Sequence, residues 1–231
     1  MDLTKENIIS YLQDHYPSFD TTGQVIISAI GEGDEEVEGI VNYIFRVANE
    51  NRSIILKQSR AFLRVEDAMN VELSLRRALP ESRNYSEYAS LKLRAAIAPD
   101  YVPKVYYVDR QNHLFIMEDV SYLRPSRSIF SQNLQISDFG RRCAAFLCDI
   151  HFYTSEFYLD TGLFRELSGA FVSTAMRHIM ESVVFLREID KDSCHPLITR
   201  LQPLAYGPEI MNSLLYPSYP SDADERAAPW C

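Results

Sequence analysis

The stretch Val41-Asn42-Tyr43-Ile44-Phe45-Arg46-Val47, then Ala48-Asn49-Glu50-Asn51-Arg52, then Ser53-Ile54-Ile55-Leu56-Lys57-Gln58, decides the fold. Both flanks tend to alternate in side-chain character, the two-residue period of strands that turn one face to a core. The Asn-rich link between them has the polarity of a hairpin loop. On its N-terminal side, Val25-Ile26-Ile27 reads as another strand, entering a glycine-rich acidic loop from Gly31 to Gly39. On its C-terminal side, Lys104–Val108 and His113–Met117 read as two further strands joined by Arg110-Gln111-Asn112. The pattern predicts an antiparallel meander.

Helices frame that sheet. Thr4 can cap a helix over about 5–15, with Ile8, Ile9 and Leu12 as its apolar stripe. A charged stretch leads into a helix over about 82–97, with Tyr85, Tyr88 and Leu91 on one side and Pro99 and Pro103 at its end. After Glu118-Asp119 the spacing becomes helical. Ser137 is a candidate cap for a helix running to about His151, with Phe139, Cys143, Phe146, Leu147 and Ile150 inward. A further helix or pair is expected over about 161–188, and a short helical segment over 196–215. Residues 216–231, rich in Pro, Ser and acid, read as a mobile tail. The expected division is a sheet lobe over 1–120, a partial helical lobe over 121–215 and that tail.

Composition narrows the function. The 231 residues carry 32 acidic and 23 basic side chains, a formal charge of -9, which argues against a general nucleic-acid binder. No apolar run approaches the ~20 residues that span a bilayer, and the polar start lacks the apolar stretch of a signal peptide. Cys143, Cys148, Cys194 and Cys231 fit neither a disulfide framework nor a zinc motif, and Cys143 and Cys148 read as small buried hydrophobes. The expectation is a cytoplasmic protein with no nucleic-acid or membrane partner.

Chemistry enters through order along the chain. A glycine-rich turn holding Gly31, Gly33 and Gly39 lies between strands, Lys57 sits on a following strand, and a helix bearing a glutamate comes next. Backbone amides of such a turn can approach phosphate, a lysine on the sheet neutralises the phosphate oxygens, and a helix glutamate holds the ammonium. Glu72 and Glu87 are the two candidates, with Glu87 preferred because its helix is better formed. This is the order of a kinase small lobe, although each feature taken alone also suits an ordinary hairpin with a strand lysine.

Asn42–Val47, Ile54–Gln58, Val102-Pro103-Lys104-Val105-Tyr106, Met117-Glu118-Asp119-Val120-Ser121 and Phe152-Tyr153-Thr154-Ser155 together resemble the S-methyl-5-thioribose kinases. That family belongs to the aminoglycoside-phosphotransferase-like branch of the protein-kinase-like superfamily. The resemblance covers about residues 25–190. It implies an α+β, protein-kinase-like fold: an antiparallel-sheet N-lobe with one main helix, here with an incomplete helical C-lobe. It implies ATP with Mg²⁺, and transfer of the γ-phosphoryl group to the 1-hydroxyl of methylthioribose in methionine salvage. It places Gly31, Gly33, Gly39 and Asn42 in the nucleotide loop, Lys57 with Glu87 at the phosphates, and Met117, Glu118, Asp119 and Val120 in the hinge whose backbone reads adenine.

The departures carry expectations too. The family loop reads roughly Gly-Asp-Gly-Asn-Leu-Asn-Tyr, whereas here eight residues separate Gly33 from Asn42, and Ile40 follows Gly39. Either register brings Asp34, Glu35, Glu36 and Glu38 near the phosphate site, each costing about 1 kcal/mol at ~4 Å in a water-like medium. Weakened ATP binding is expected unless the loop turns outward. The family's His-Gly-Asp catalytic segment has no counterpart, because none of His15, His113, His151, His178 or His195 is followed two residues later by Asp. No catalytic residue and no Mg²⁺ ligand is assigned within the chain. The expectation is a chain truncated before the catalytic loop and inactive alone, the alternative being a silent pseudokinase fragment that binds nucleotide or a partner. A shortened lobe leaves Phe146, Leu147, Phe171 and Val184 uncovered, predicting self-association into a homo-oligomer through that face. Asp138-Phe139-Gly140 spells the metal-binding triplet of protein kinases, but it opens a helical pattern about twenty residues past the hinge and reads as a helix start.

Overall fold

The register of the central hairpin assigns its side chains to faces. In a computed structural model, which describes residues 1–31, 41–61, 80–124, 132, 136–174 and 176–177, β1 (Ile26–Ile30) pairs antiparallel with β2 (Tyr43–Ala48). β2 pairs with β3 (Ser53–Gln58), placing Phe45 opposite Leu56 and Val47 opposite Ile54. The Asn49 carboxamide oxygen accepts the N–H groups of Asn51 and Arg52, closing the predicted polar link. β4 (Val105–Asp109) and β5 (Leu114–Glu118) form the second hairpin, and β5 pairs with β3. The sheet order is β1-β2-β3-β5-β4. The chain divides into two units, Met1–Met176 and Arg177–Cys231, and the sheet lies in the first.

One face of the sheet holds the core. Phe45, Val47, Ile54, Leu56, Leu114 and Ile116 pack with Leu3, Phe19 and the α1 (Ile8–His15) residues Ile8, Tyr11 and Leu12. Each large apolar side chain buried this way contributes about 1.5–3 kcal/mol. The helix begins later than residue 5, because the Thr4 carbonyl accepts the N–H groups of both Asn7 and Ile8 in a preceding turn. Tyr11 takes the buried place expected of Ile9, and its hydroxyl donates to Asp109 Oδ2 at 2.8 Å. Burial, followed by that carboxylate, pushes the Tyr11 hydroxyl well above its usual range. Gln58, fully buried on this face, accepts from Leu3 N–H and donates to the carbonyls of Met1 and Asn112. One side chain therefore ties the chain start to the β4–β5 turn.

The opposite face receives α2 (Pro80–Ile97), whose buried Tyr88 meets Phe115 edge-on with ring centres 6.3 Å apart. Tyr85, read from the sequence as lying on the same side of the helix as Tyr88, is exposed. Two more helices follow, α3 (Phe139–Tyr153) and α4 (Thr161–Ala170), completing the α+β, kinase-like arrangement of the described residues. α4 is capped by Asp160, which accepts from Leu163 N–H at 3.0 Å.

Several expectations for the helices are corrected. Asp138, not Ser137, is the N-cap of α3; it has φ 60° and makes no side-chain cap bond. Its carboxylate instead pairs with Arg141 at 3.0 Å. Phe139, Cys143 and Leu147 are exposed rather than inward, and Cys148 is exposed as well. The α3 residue Phe146 packs against Tyr101, with ring centres 5.6 Å apart. Of the helix or pair expected over about 161–188, α4 covers Thr161–Ala170, and residues 178–188 lie outside the described residues. The remaining expectations for 178–231, Val184 among them, fall outside the described residues. No described helix is long and apolar enough to cross a membrane.

Leu56 is 0% exposed at the centre of the core, whereas Ile26 at the sheet edge is 61% exposed. Leu56→Ala is expected to destabilise the chain by about 2–5 kcal/mol and Ile26→Ala by under about 1 kcal/mol, read from chemical denaturation midpoints.

Candidate functional site

The β3 residues that miss the core line a cleft. Ile54, Leu56 and Gln58 face α1, so Ile55 and Lys57 face the other way. A cavity of about 450 Å³ opens there, walled by Ile30, Ile44, Ile55 and Met117, with Arg46, Lys57 and Arg124 as its cations. Two cross-strand rows lie on this face of the sheet, and all their residues but Phe115 line the cavity. Ile44, Lys57 and Phe115 form one row, and Arg46, Ile55 and Met117 form the next.

Lys57 Nζ lies 2.9 Å from Glu87 Oε2, each side chain about one quarter exposed at 26% and 24%. The pair joins β3 to α2 across thirty residues of sequence. Glu87 Oε1 accepts from the Asn42 carboxamide at 2.6 Å, and the Asn42 oxygen accepts from Ser59 Oγ at 3.0 Å. Asn42 and Ser59 are themselves buried. Arg83, one helical turn before Glu87, is buried and donates to the Arg60 carbonyl at 2.8 Å. Burial lowers the Arg83 pKa, while the Glu87 charge opposes that shift. The glutamate is thus fixed from both oxygens, and its ammonium partner is held at the cleft wall.

The hinge candidates border the same cavity. Met117, Glu118, Asp119 and Val120 all line it. Glu118 N–H donates to the Lys104 carbonyl at 2.8 Å, and Lys104 N–H donates to Glu118 Oε2 at 3.1 Å. Asp119 is a fastening point. Its Oδ2 accepts from Ser53 Oγ at 2.6 Å and lies 3.0 Å from Arg46 Nε, while its Oδ1 accepts from Ser121 N–H at 2.9 Å. Burial pushes the Asp119 carboxyl up, but the Ser53 and Ser121 hydrogen bonds and the Arg46 charge outweigh it, leaving the pKa below its ordinary value.

The structure brings Asn42, Lys57, Glu87 and the 117–120 segment to one place. Gly31, at the end of β1, has φ 82°, a conformation open to glycine. Gly33, Gly39, the acidic residues between them and Glu72 lie outside the described residues. Arg46 and Ser53 were not among the sequence candidates. The signal for them was their strand parity, since both are an even number of steps from a cleft-facing neighbour, Ile44 or Lys57. Among the described residues no three His, Cys, Asp or Glu side chains converge as a metal site would require.

No protein-family model matches the chain. Methylthioribose kinases do: it is 32% identical over 183 residues to that of Bacillus cereus strain B4264, 31% to that of Bacillus mycoides strain KBAB4 and 30% to that of Bacillus thuringiensis strain Al Hakam. The chain is similar to methylthioribose kinases over 79% of its own length. Each match takes in 79% of this chain and 43% of the relative, so the chain spans less than half the length of these methylthioribose kinases.

Asp119 gives a pH signature. Its folded pKa is depressed, so its contribution to stability is present above the ordinary value near 4 and is lost as pH falls through the folded value. Asp119→Asn is expected to be less stable than wild type at pH 7, with the gap closing as pH falls below about 4, followed by thermal unfolding across a pH series.

Proposed function

We propose that the chain binds ATP as its Mg²⁺ complex in this cleft, as the nucleotide-binding part of a methylthioribose kinase-type phosphotransferase. The observation that carries the reading is the 2.9 Å Lys57–Glu87 pair at the wall of a cavity whose opposite border is Met117–Val120. The similarity to methylthioribose kinases supports it. The cavity also fits the ligand. Its volume lies within the range of small-molecule sites, its walls are apolar where a base would lie, and its cation is pre-positioned for phosphate. ATP supplies the phosphoryl group, and the metal neutralises charge on it. The chain's own part is to hold the nucleotide: Lys57 meets phosphate oxygens, Glu87 and Asn42 keep Lys57 in place, and the hinge backbone meets the base.

The acceptor in this reading is methylthioribose, following the relatives' name. We further propose that these 231 residues by themselves bind nucleotide without turning it over. No histidine among them opens a His-x-Asp segment, and loss of a general base costs about 10²–10⁴-fold before any loss of metal ligands.

Calorimetry with ATP and Mg²⁺ tests the binding claim. Lys57→Met is expected to weaken binding roughly 10- to 100-fold, the worth of a charged hydrogen bond. Equal heats for wild type and variant would overturn the role given to Lys57. For turnover, the purified chain is expected to release no labelled sugar phosphate from methylthioribose, and steady release would overturn the silent reading.

A further inference from the structure

The cleft holds a cation besides Lys57 that the phosphates of a nucleotide do not call for. Arg46 on β2 lines the cavity and stays 39% exposed, while its Nε lies 3.0 Å from the buried Asp119 carboxylate. Its register partner is Ile55, whose own partner is Met117 at the start of the hinge segment. Lys57 lies one row away, opposite Ile44 and Phe115. Two residues along a strand amount to about 7 Å. The two cations are therefore set at different depths: Lys57 in the row nearer the Gly31 loop, Arg46 in the row that runs into the hinge. A nucleotide laid between hinge and loop has its base and its phosphates separated by a comparable length.

Charge points the same way. Asp119 lies against Nε of the guanidinium, which reduces its pull on phosphate, while the Arg46 side chain stays 39% exposed and lines the cavity. A guanidinium within about 6 Å of an aromatic ring is attracted to its face, the more so where water is excluded. We infer that Arg46 is a specificity-determining residue of this cleft, packing its guanidinium on the nucleobase, with Asp119 as the positioning residue that sets its orientation. This rests on the nucleotide reading above and adds a division of labour to it: Arg46 for the nucleoside half, Lys57 for the phosphate half.

The two halves of the ligand can be offered separately. Affinities of the full chain for adenosine, ATP and inorganic tripolyphosphate are measured by calorimetry for wild type, Arg46→Met, Arg46→Lys and Lys57→Met. Arg46→Met is expected to weaken adenosine and ATP by the same factor, roughly 3- to 30-fold, and to leave tripolyphosphate within about twofold. Arg46→Lys recovers part of that loss, since the charge remains. Lys57→Met shows the reverse pattern, losing tripolyphosphate and ATP but not adenosine. Unchanged tripolyphosphate binding also shows that the Arg46 variants are folded. Asp119→Asn, which leaves the guanidinium in place but loosens it, is expected to weaken adenosine by a smaller factor than Arg46→Met. A parallel loss of adenosine and tripolyphosphate in Arg46→Met would mean that Arg46 merely braces the hinge, and unchanged adenosine binding would mean that it never meets the base. Either overturns this inference while leaving ATP binding standing. A wild-type chain that binds neither ATP nor adenosine overturns both readings.

Discussion

Strand β3 serves two masters, and its period of two couples them. Ile54, Leu56 and Gln58 are buried against α1 and the chain start, while Ser53, Ile55 and Lys57 face the cleft and hinge. A slip of one residue would send Lys57 into the apolar core and Leu56 into the cleft, reversing every assignment at once. Burying an unpaired ammonium among Ile8, Leu12 and Phe45 costs far more than any alternative pairing could return. The position of the cleft cation is therefore enforced from the opposite face of the sheet. Gln58 strengthens the lock, because its carboxamide matches two donors, Leu3 N–H and Arg60 Nε, and two acceptors, the carbonyls of Met1 and Asn112.

Polar groups around the cleft are held in two separate brackets. In the first, Asn42 and Ser59 satisfy Glu87 from the side away from Lys57, so the glutamate can face the cation without leaving its other oxygen stranded. Half-buried ion pairs are stabilising only when such remaining demands are met. In the second, Asp119 ties Ser53 and Arg46 to the hinge, crossing two strands. The brackets share no residue. Each fixes one cation at one depth of the cleft, so the electrostatics of the two ends can be altered independently.

Much of this arrangement is legible in the order of residues along the chain. Chain order set a strand lysine before a helix glutamate, and the better-formed helix favoured Glu87 over Glu72 as the partner of Lys57. Alternation located all five strands to within a few residues. The bracket residues were harder to see: Asn42 reaching Glu87 and Arg46 reaching Asp119 depend on which strands lie side by side, and periodicity carries no such information. The α3 errors have a different origin. Phe139, Cys143 and Leu147 recur at helical spacing, which reveals an apolar face but not whether anything covers it. Ser137 and Asp138 are equally good caps by composition, and the left-handed turn at Asp138 decided between them.

The distribution of burial separates the cleft from helices α3 and α4. Among the described residues, the core that sets the β3 register lies between Leu3 and Ile116. No residue of α3 or α4 is buried, and their aromatic contacts, such as Phe152 with Tyr153 and Tyr158, are largely with one another. Free energy that keeps Lys57 and Arg46 in their rows therefore comes from the sheet, α1 and α2. Helices beyond residue 136 can loosen without disturbing either bracket, since Asn42, Ser59, Glu87, Arg46, Ser53 and Asp119 all precede them. The two brackets around the cleft and the two helices beyond residue 136 thus have separable structural foundations among the described residues.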